Sequence, residues 1–182
     1  MKKIFLSLIA VSIAGILNAQ IYLAKECVIK FFAGTALEDI DATNNVAKPI
    51  LDISKGDIAV KIVIKNFKFT NSLMEEHFNE NYLESDKYPD AKFTGKINEK
   101  IDYTIDGVTK VTVTGKLKVH NVEKDRTLDG TVTVKGTQII IDTKFKIKLA
   151  DHNIKIPSAV GAKIAEEVEV TLNSTLEPFK KK

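Results

Sequence analysis

The amino-acid sequence predicts an all-β domain of about eight antiparallel strands, arranged as a closed barrel or a sandwich. Three observations lead to this prediction. Apolar and polar residues alternate with period two over most of the chain. β-branched residues dominate the alternating segments, and turn-forming residues separate them. One internal stretch follows a helical pattern instead.

The first 19 residues have the pattern of a secretory signal peptide. Lys2 and Lys3 precede the apolar run Ile4–Leu17, and Ala19 offers a small residue at a cleavage point. The run is shorter than the roughly 20 residues that a membrane span needs; an uncleaved N-terminal anchor is the alternative. We therefore expect cleavage near Ala19, a single domain over residues 20–182, and a periplasmic or secreted protein.

The charge and the cysteine content limit the kinds of partner. The chain has 27 basic and 24 acidic residues, and removing residues 1–19 leaves 25 against 24. This balance does not favour a nucleic-acid partner. Cys27 is the only cysteine, so no internal disulfide can form. It could link two chains in a homodimer, but the alternation turns Cys27 inward, which favours a buried thiol.

The predicted strands follow one another along most of the chain. They are Lys25–Phe32, Ala36–Ala42, Asp57–Lys65, Ala91–Ile97, Ile101–Ile105, Val108–Val119, Thr127–Lys135, Gln138–Leu149 and Val168–Asn173. Asp106 and Gly107 predict a tight hairpin between the strands over 101–105 and 108–119. Gly136 lies in a further predicted turn, and Asp129-Gly130 predicts a break or a β-bulge.

A helical segment is predicted over Asn71–Ser85. Apolar and aromatic residues recur there at spacings of three and four, which places them on one helical face. These residues are Leu73, Met74, His77, Phe78 and Tyr82. Thr70, Asn71 and Ser72 are candidate N-caps. A second short helix is predicted over Pro157–Glu166, with Pro157 at its start.

Period two does not say whether the apolar faces line a core or face lipid. Three features favour an apolar interior and argue against stable membrane insertion. The polar faces are rich in Lys, the chain has no Trp and only four Tyr to form aromatic girdles, and the amphipathic helix needs a core to cover. The interior is then either filled or encloses a ligand. A cavity past Phe31, Phe93 and Phe145 would be apolar and would suit a long greasy molecule.

No catalytic or metal motif stands out, and we expect no cofactor. His77 and Glu80 lie three residues apart on the predicted helix, but no matching pair completes a metal site. His120 begins a turn. His152 follows Asp151, without an activated Ser or Cys to complete a triad. We expect a binding protein and not an enzyme, with an enzyme built on His77 and the acidic helix as the alternative.

Several stretches resemble the YceI-like family of exported lipid-binding proteins, most closely its Bacteroidetes branch. The resemblance covers nearly all of the chain after residue 19. Its most specific part is the run LMEEHFNENYLESDKYP at 73–89. It is also carried by FFAGTALEDI at 31–40, IKNFKF at 64–69, GKL at 115–117 leading to His120, DH at 151–152 and IKIP at 154–157. Asn121 stands where the family usually has glycine, and Asn tolerates a left-handed backbone.

The resemblance implies a lipocalin-like, eight-stranded antiparallel β-barrel with one or two short helices and an apolar tunnel. The implied function is to bind, transport or sequester a polyisoprenoid or other lipid-like amphiphile in the periplasm. A filled barrel acting as a structural or interaction protein of the cell envelope is the alternative. Ligand contacts are implied for Phe31, Phe67, Phe69, Leu73, Met74, Phe78, Tyr82, Tyr88 and Phe93. Alternation alone adds Phe145 and Ile147, and core packing is the alternative role for each.

Overall fold

The computed structural model describes residues 21–35, 39–156 and 165–179. Ten strand segments form one sheet, and all of its pairings are antiparallel. The segments are β1 (Ile21–Gly34), β2 (Asp39–Asn44), β3 (Ile50–Asp52), β4 (Asp57–Val63), β5 (Lys68–Phe69), β6 (Asp90–Ile97), β7 (Gly107–Val119), β8 (Val122–Lys135), β9 (Gln138–Lys148) and β10 (Glu167–Pro178). One helix, α1 (Ser72–His77), continues as a π-helix over Phe78–Tyr82.

β1 closes the sheet into a barrel. Along one edge it pairs with β10 from Tyr22 to Phe32. Along its other edge it pairs first with β3 and then with β2. Because β2 and β3 share this edge, and β5 pairs only with β2, the ten segments make a closed eight-stranded barrel. The predicted fold class is confirmed.

The apolar face of each strand lines the barrel interior. On β9, for example, Ile139, Ile141 and Ile147 are buried, whereas Lys144 and Lys146 are exposed. The tightest packing includes Leu51 and Leu176, which have no exposed surface. Cys27 points inward and is 3% exposed, as predicted. Burial raises the pKa of its thiol, which keeps the thiol protonated and unreactive.

One predicted strand and its hairpin are wrong. Residues 101–105 form turns, because the Asp102 carboxylate accepts hydrogen bonds from the backbone N–H and the hydroxyl of Thr104. The loop over 98–106 therefore links β6 to β7, and Gly107 is the first residue of β7. The break or bulge predicted at Asp129-Gly130 is also wrong, since Gly130 pairs in regular register with Val111 and Thr143.

Other differences concern the lengths of elements. The short segments β3 and β5 were not predicted, because two or three residues carry no periodicity. β8 begins at Val122, five residues before its predicted start. The turn at Gly136 is confirmed by its left-handed φ of 57°. The second predicted helix, over Pro157–Glu166, falls mostly outside the described residues.

Within residues 21–35, 39–156 and 165–179, no helix has the length and apolar character needed to cross a bilayer.

Two glycines let β6 and β7 approach closely, which generates a stability prediction. Gly95 and Gly115 lie directly opposite one another. A Cβ atom on Gly115 would lie 2.3 Å from the Thr94 carbonyl oxygen. We expect Gly115→Ala to lower the free energy of unfolding by about 2 kcal/mol or more, because the strands must separate. Urea denaturation measures the change.

Gly107→Ala is the matched control on the same strand. A Cβ atom there meets no atom within 4 Å. We expect its free energy of unfolding to stay within about 0.5 kcal/mol of the wild-type value. Equal urea midpoints for the two variants would contradict the close approach at Gly115.

Candidate functional site

One part of the barrel interior is hollow. A cavity of about 400 Å³ lies between the barrel wall and the helical segment 72–82. Eight strand segments contribute to its wall, together with the residues that follow β9. Its deeper wall includes the buried residues Ile29, Ala91, Leu117 and Val170. This volume falls within the roughly 300–1,000 Å³ of ligand pockets in proteins.

The residues Ser72–Tyr82, here called the covering segment, form one side of the cavity. The Asn71 side-chain oxygen caps α1 by accepting hydrogen bonds from the backbone N–H groups of Leu73 and Met74, at 2.9 and 3.4 Å. The predicted N-cap is therefore confirmed. The whole predicted helical face lines the cavity, namely Leu73, Met74, His77, Phe78 and Tyr82.

Four aromatic rings join the covering segment to the barrel. Phe31 from β1, Phe67 and Phe69 form a cluster with Phe78. Ring centroids lie 5.0 Å apart for Phe69 and Phe78, and 5.3 Å apart for the stacked pair Phe31 and Phe78. Such pairs contribute about 0.5–1.5 kcal/mol each beyond area burial. The cluster therefore holds the segment in place and makes an aromatic wall of the cavity.

The cavity wall is almost entirely apolar. Its polar side chains are those of Asn71, His77 and Tyr82, and none of the described wall residues is Lys, Arg, Asp or Glu. Asn71 is occupied as the helix cap. Burial raises the pKa of the Tyr82 hydroxyl, which therefore stays neutral. His77 is exposed. The interior can accept an uncharged chain and offers no site for a buried ion.

Most of the residues singled out from the sequence meet at this cavity. The wall contains Phe31, Phe67, Phe69, Leu73, Met74, Phe78, Tyr82, Phe145 and Ile147. Tyr88 and Phe93 do not line it. The Tyr88 ring packs edge-on against His120, with centroids 4.5 Å apart. The Phe93 ring lies over Gly95 and fills the barrel, since a Cβ atom on Gly95 would be 2.8 Å from Phe93 Cζ.

The interior is therefore part hollow and part filled. The cavity reaches Phe31 and Phe145 but stops short of Phe93. Other wall residues are not among the predicted ligand contacts, although the alternating pattern places several of them on inward faces. These include Ile29, Leu117, Val119, Val168 and Val170. Ile154 and Leu83 also line the wall. They lie outside any alternating segment, in the stretches IKIP at 154–157 and LMEEHFNENYLESDKYP at 73–89 that carry the family resemblance.

A polar cluster lies beside the cavity at the β7–β8 hairpin. His120 Nδ1 donates to the His152 carbonyl at 3.1 Å, and His120 Nε2 lies 2.9 Å from Glu84 Oε2. His152 is the last residue of the 3-10 helix Leu149–His152, which follows β9. The pairing of β9 with β8 ends before this helix, where Thr143 lies opposite Gly130. The completely buried His152 ring donates from Nδ1 to the Val122 carbonyl at 3.1 Å.

Two titratable groups of this cluster, Glu84 and His152, have shifted pKa values. The hydrogen bond from His120 holds the pKa of the Glu84 carboxyl below its ordinary value, so Glu84 stays ionised. Burial lowers the pKa of His152, so that ring stays neutral. Among the described residues, no group of three or more His, Cys, Asp or Glu side chains is placed to hold a metal ion.

Left-handed backbone is concentrated in the same place. Outside glycine, the described residues with positive φ are Glu84, His120, Asn121 and Asn153, at 41°, 48°, 61° and 56°. His120 and Asn121 form the two-residue turn between β7 and β8, because Val119 pairs with Val122. The expected left-handed conformation of Asn121 is thereby confirmed. Such conformations are costly, and they cluster at functional and switch sites.

The comparisons with known proteins agree with this architecture. The model of the YceI-like domain matches residues 28–176, and the chain therefore belongs to the YceI-like family. A polyisoprenoid-binding domain from Saccharophagus degradans, implicated in plant cell wall breakdown, is 16% identical, with 88% of this chain and 99% of that chain covered and a TM-score of 0.75. BcnA from Burkholderia cenocepacia is 18% identical, with coverage of 82% and 95% and a TM-score of 0.69.

A YceI protein from Campylobacter jejuni is 21% identical over the full length of both chains, with a TM-score of 0.54. At these identities the likeness shows a shared fold. No match was found among curated proteins.

The buried His152 generates a prediction about acid stability. An unfolded chain binds a proton at His152 as the pH falls below the ordinary value of 6.5, whereas the folded protein resists it. Stability is therefore lost as the pH falls, by at most about 1.4 kcal/mol per pH unit for one proton. In His152→Asn the free energy of unfolding should fall less between pH 7.5 and 5.5 than in the wild type.

Urea denaturation at several pH values provides the measurement. His77→Asn is the matched control, because His77 is exposed and its replacement should leave the wild-type pH profile unchanged. Parallel profiles for His152→Asn and the wild type would show that His152 does not cause the acid sensitivity.

Proposed function

We propose that this YceI-like protein binds one polyisoprenoid or similar lipid-like amphiphile in its cavity and carries or sequesters it in the periplasm. The apolar cavity under the covering segment is the observation that carries the proposal. The polyisoprenoid-binding domain of S. degradans, which shares the fold, supports this class of ligand. The signal-peptide pattern of residues 1–19 supports export.

The physical basis of binding would be the removal of apolar surface from water. Each buried methylene group contributes about 0.8 kcal/mol. The wall has few polar groups, so it would select a ligand by length and shape and not by a pattern of hydrogen bonds. The four-ring aromatic cluster offers flat surfaces against which an isoprenoid or acyl chain can pack.

The positions of the polar wall residues orient the ligand. Asn71 and His77 both belong to the helical side of the cavity and are exposed, whereas Leu117, Ile147 and Val170 in the barrel wall are buried. A head group would lie at the exposed side, and the apolar chain would extend along the buried wall. This arrangement leaves the head group in water, where its solvation costs nothing on binding.

The same wall favours binding over catalysis. Its described residues include no carboxylate and no thiol, and its one carboxamide, on Asn71, is engaged as a helix cap. Two polar groups remain, His77 and Tyr82, both on the covering segment. Among the residues that the structure describes, neither is hydrogen-bonded to a base or nucleophile in the way that an activated catalytic pair requires.

Native mass spectrometry of the protein purified from its own cell envelope tests the proposal, with organic extraction of whatever is bound. A long-chain lipid at one molecule per protein is the expected result, and it would name the ligand class. A mass that stays ligand-free after incubation with isoprenoid quinones and fatty acids would overturn the proposal. The barrel would then be a structural or interaction protein of the envelope.

Filling the cavity gives a sharper prediction from two buried valines. Val119 on β7 and Val132 on β8 are both buried, but only Val119 lines the cavity. Val119→Phe should place its ring in the empty space and weaken the binding of retinol, a fluorescent isoprenoid alcohol, by at least about tenfold. The free energy of unfolding should change by less than about 1 kcal/mol.

Val132→Phe is the matched control, because it adds the same ring at a side chain that is 1% exposed and lies outside the wall of this cavity. It should destabilise the fold by about 1–3 kcal/mol through overpacking and leave the affinity for retinol unchanged. Equal retinol affinities for wild type and Val119→Phe would show that the ligand does not occupy this cavity.

A further inference from the structure

We propose that a slit in the barrel wall between β8 and β9 is a second opening of the cavity, where Arg126 binds the carboxylate or phosphate of an anionic amphiphile. The chain of this amphiphile would occupy the cavity, so the site rests on the function proposed above. A neutral head group, such as the hydroxyl of retinol, would stay beside the covering segment.

β8 and β9 separate halfway along the barrel. Their pairing ends where Gly130 lies opposite Thr143. Beyond this point, residues 122–129 of β8 pair with β7 alone, and residues 144–148 of β9 pair with β10 alone. The facing edges of these two segments are therefore not joined by a ladder of backbone hydrogen bonds, which leaves a slit in the wall.

Side chains of the described residues bridge the slit at three points. At one end, the Thr143 hydroxyl donates to the Asp129 carbonyl at 2.6 Å. At the other end, the buried His152 ring donates to the carbonyl of the first residue of β8. Between these points, Arg126 Nη2 donates to the Lys146 carbonyl at 2.6 Å. The Arg126 side chain therefore lies across the middle of the slit.

The slit lies beside the cavity. On β9, Phe145 and Ile147 flank the residue whose carbonyl Arg126 contacts, and both line the cavity. On β7, Leu117 and Val119 also line it. β8 runs between these two strands and contributes none of the wall residues in the described part of the chain. The wall is therefore interrupted at the slit, and the guanidinium group lies at the interruption.

β8 carries cations on its inner face at this height. Residues paired across strands share a face of the sheet, so Lys124 shares the face of Leu117, and Arg126 that of Gly115. This is the inner face, because Leu117 is buried and lines the cavity. Nearer the filled part of the barrel, the inner face of β8 is apolar, with Leu128 buried. The change from apolar to cationic side chains coincides with the slit.

Arg126 has donors to offer an anion. It is the only arginine among the 27 basic residues of the chain. A guanidinium group presents five N–H donors in a planar fork that matches a carboxylate or a phosphate. In residues 21–35, 39–156 and 165–179, its contacts use one donor, toward Lys146, and no carboxylate lies within 4 Å of Arg126 or Lys124. Arg126 is also half-buried, which strengthens its interaction with an anion.

The ion pairs on the outer faces beside the slit balance one another. On β9, Lys146 and Lys148 share Glu167, at 3.7 and 3.8 Å. On β8, Glu123 and Asp125 share one lysine of β7, at 2.9 and 3.6 Å. The cations on the inner face of β8 are thus left without a counter-charge among the described residues, and an anionic head group would supply it.

Retinol and retinoate test the proposal, because they share one isoprenoid chain and differ in the head group. Arg126→Met removes the charge and keeps an apolar stem across the slit. At pH 8, where the retinoate carboxylate is ionised, equilibrium dialysis should show at least about tenfold weaker binding of retinoate to this variant. Its affinity for retinol should stay within about twofold of the wild-type value.

Lys30→Met is the matched control. It removes one positive charge from the exposed outer face of β1 and should leave both affinities unchanged. If Arg126→Met weakens retinol and retinoate equally, Arg126 is only a structural bridge across the slit. If the variant binds retinoate as the wild type does, the anion lies elsewhere. Either result would overturn the proposal.

The wild-type protein gives a second readout that needs no variant. Because the chain has one arginine, the Arg126 Nε–H group gives a single side-chain signal of its type in a ¹H–¹⁵N NMR spectrum. Retinoate should shift this signal and retinol should not. A shift with inorganic phosphate but none with retinoate would overturn the assignment to a head group, since the slit would then bind a free anion.

The two proposals can fail separately. If retinol binds and is displaced by Val119→Phe, while retinoate leaves the Arg126 signal unmoved, the cavity function stands and the anionic site is overturned. If retinoate binding requires Arg126 but is unaffected by Val119→Phe, the anionic site stands and the proposed function of the cavity fails.

Discussion

The pairing of β1 with β10 is the constraint on which the rest of the structure depends. It joins the two ends of the sheet, so the backbone groups of both strands are satisfied and neither strand is left as a free edge. Closure also gives the chain an inside. Each alternating strand then has one face that must be apolar and one that meets water, and the long β1 supplies the interior residues Cys27, Ile29 and Phe31.

The enclosed space is used in two ways. Around Leu51 and Leu176 it is packed like any protein core, and this packing supplies stability. Beside the covering segment the side chains leave the cavity, where fewer packing contacts contribute to stability. Phe93 and the Gly95–Gly115 pair lie on the filled side, where the missing side chains give the phenyl ring its place. One small barrel therefore contains both a packed core and a cavity.

Period-two patterning predicted an all-β barrel or sandwich and its inward faces, including Cys27, because these depend on local alternation. The resemblance to the YceI-like family selected the barrel. Alternation could not distinguish Phe145 from Phe93. Both point inward, but their height along the barrel depends on strand register, which is set by pairing with distant strands. A local hydrogen-bonding side chain, Asp102, overrode alternation at 101–105. The contact of His120 with Glu84 joins residues 36 positions apart, so no local pattern could indicate it.

Barrel closure by the two terminal strands has a kinetic consequence. The hydrogen bond from the Ser174 hydroxyl to the Glu26 carbonyl links residues 148 positions apart. Contacts of such long range form slowly, since they require most of the chain to be ordered first. β1 cannot pair with β10 until most of the chain is in place, whereas the β7–β8 and β8–β9 hairpins can form early. During synthesis, which proceeds from the N-terminus, the barrel therefore cannot close until β10 has been made. Until then, the residues that will line the cavity are open to solvent.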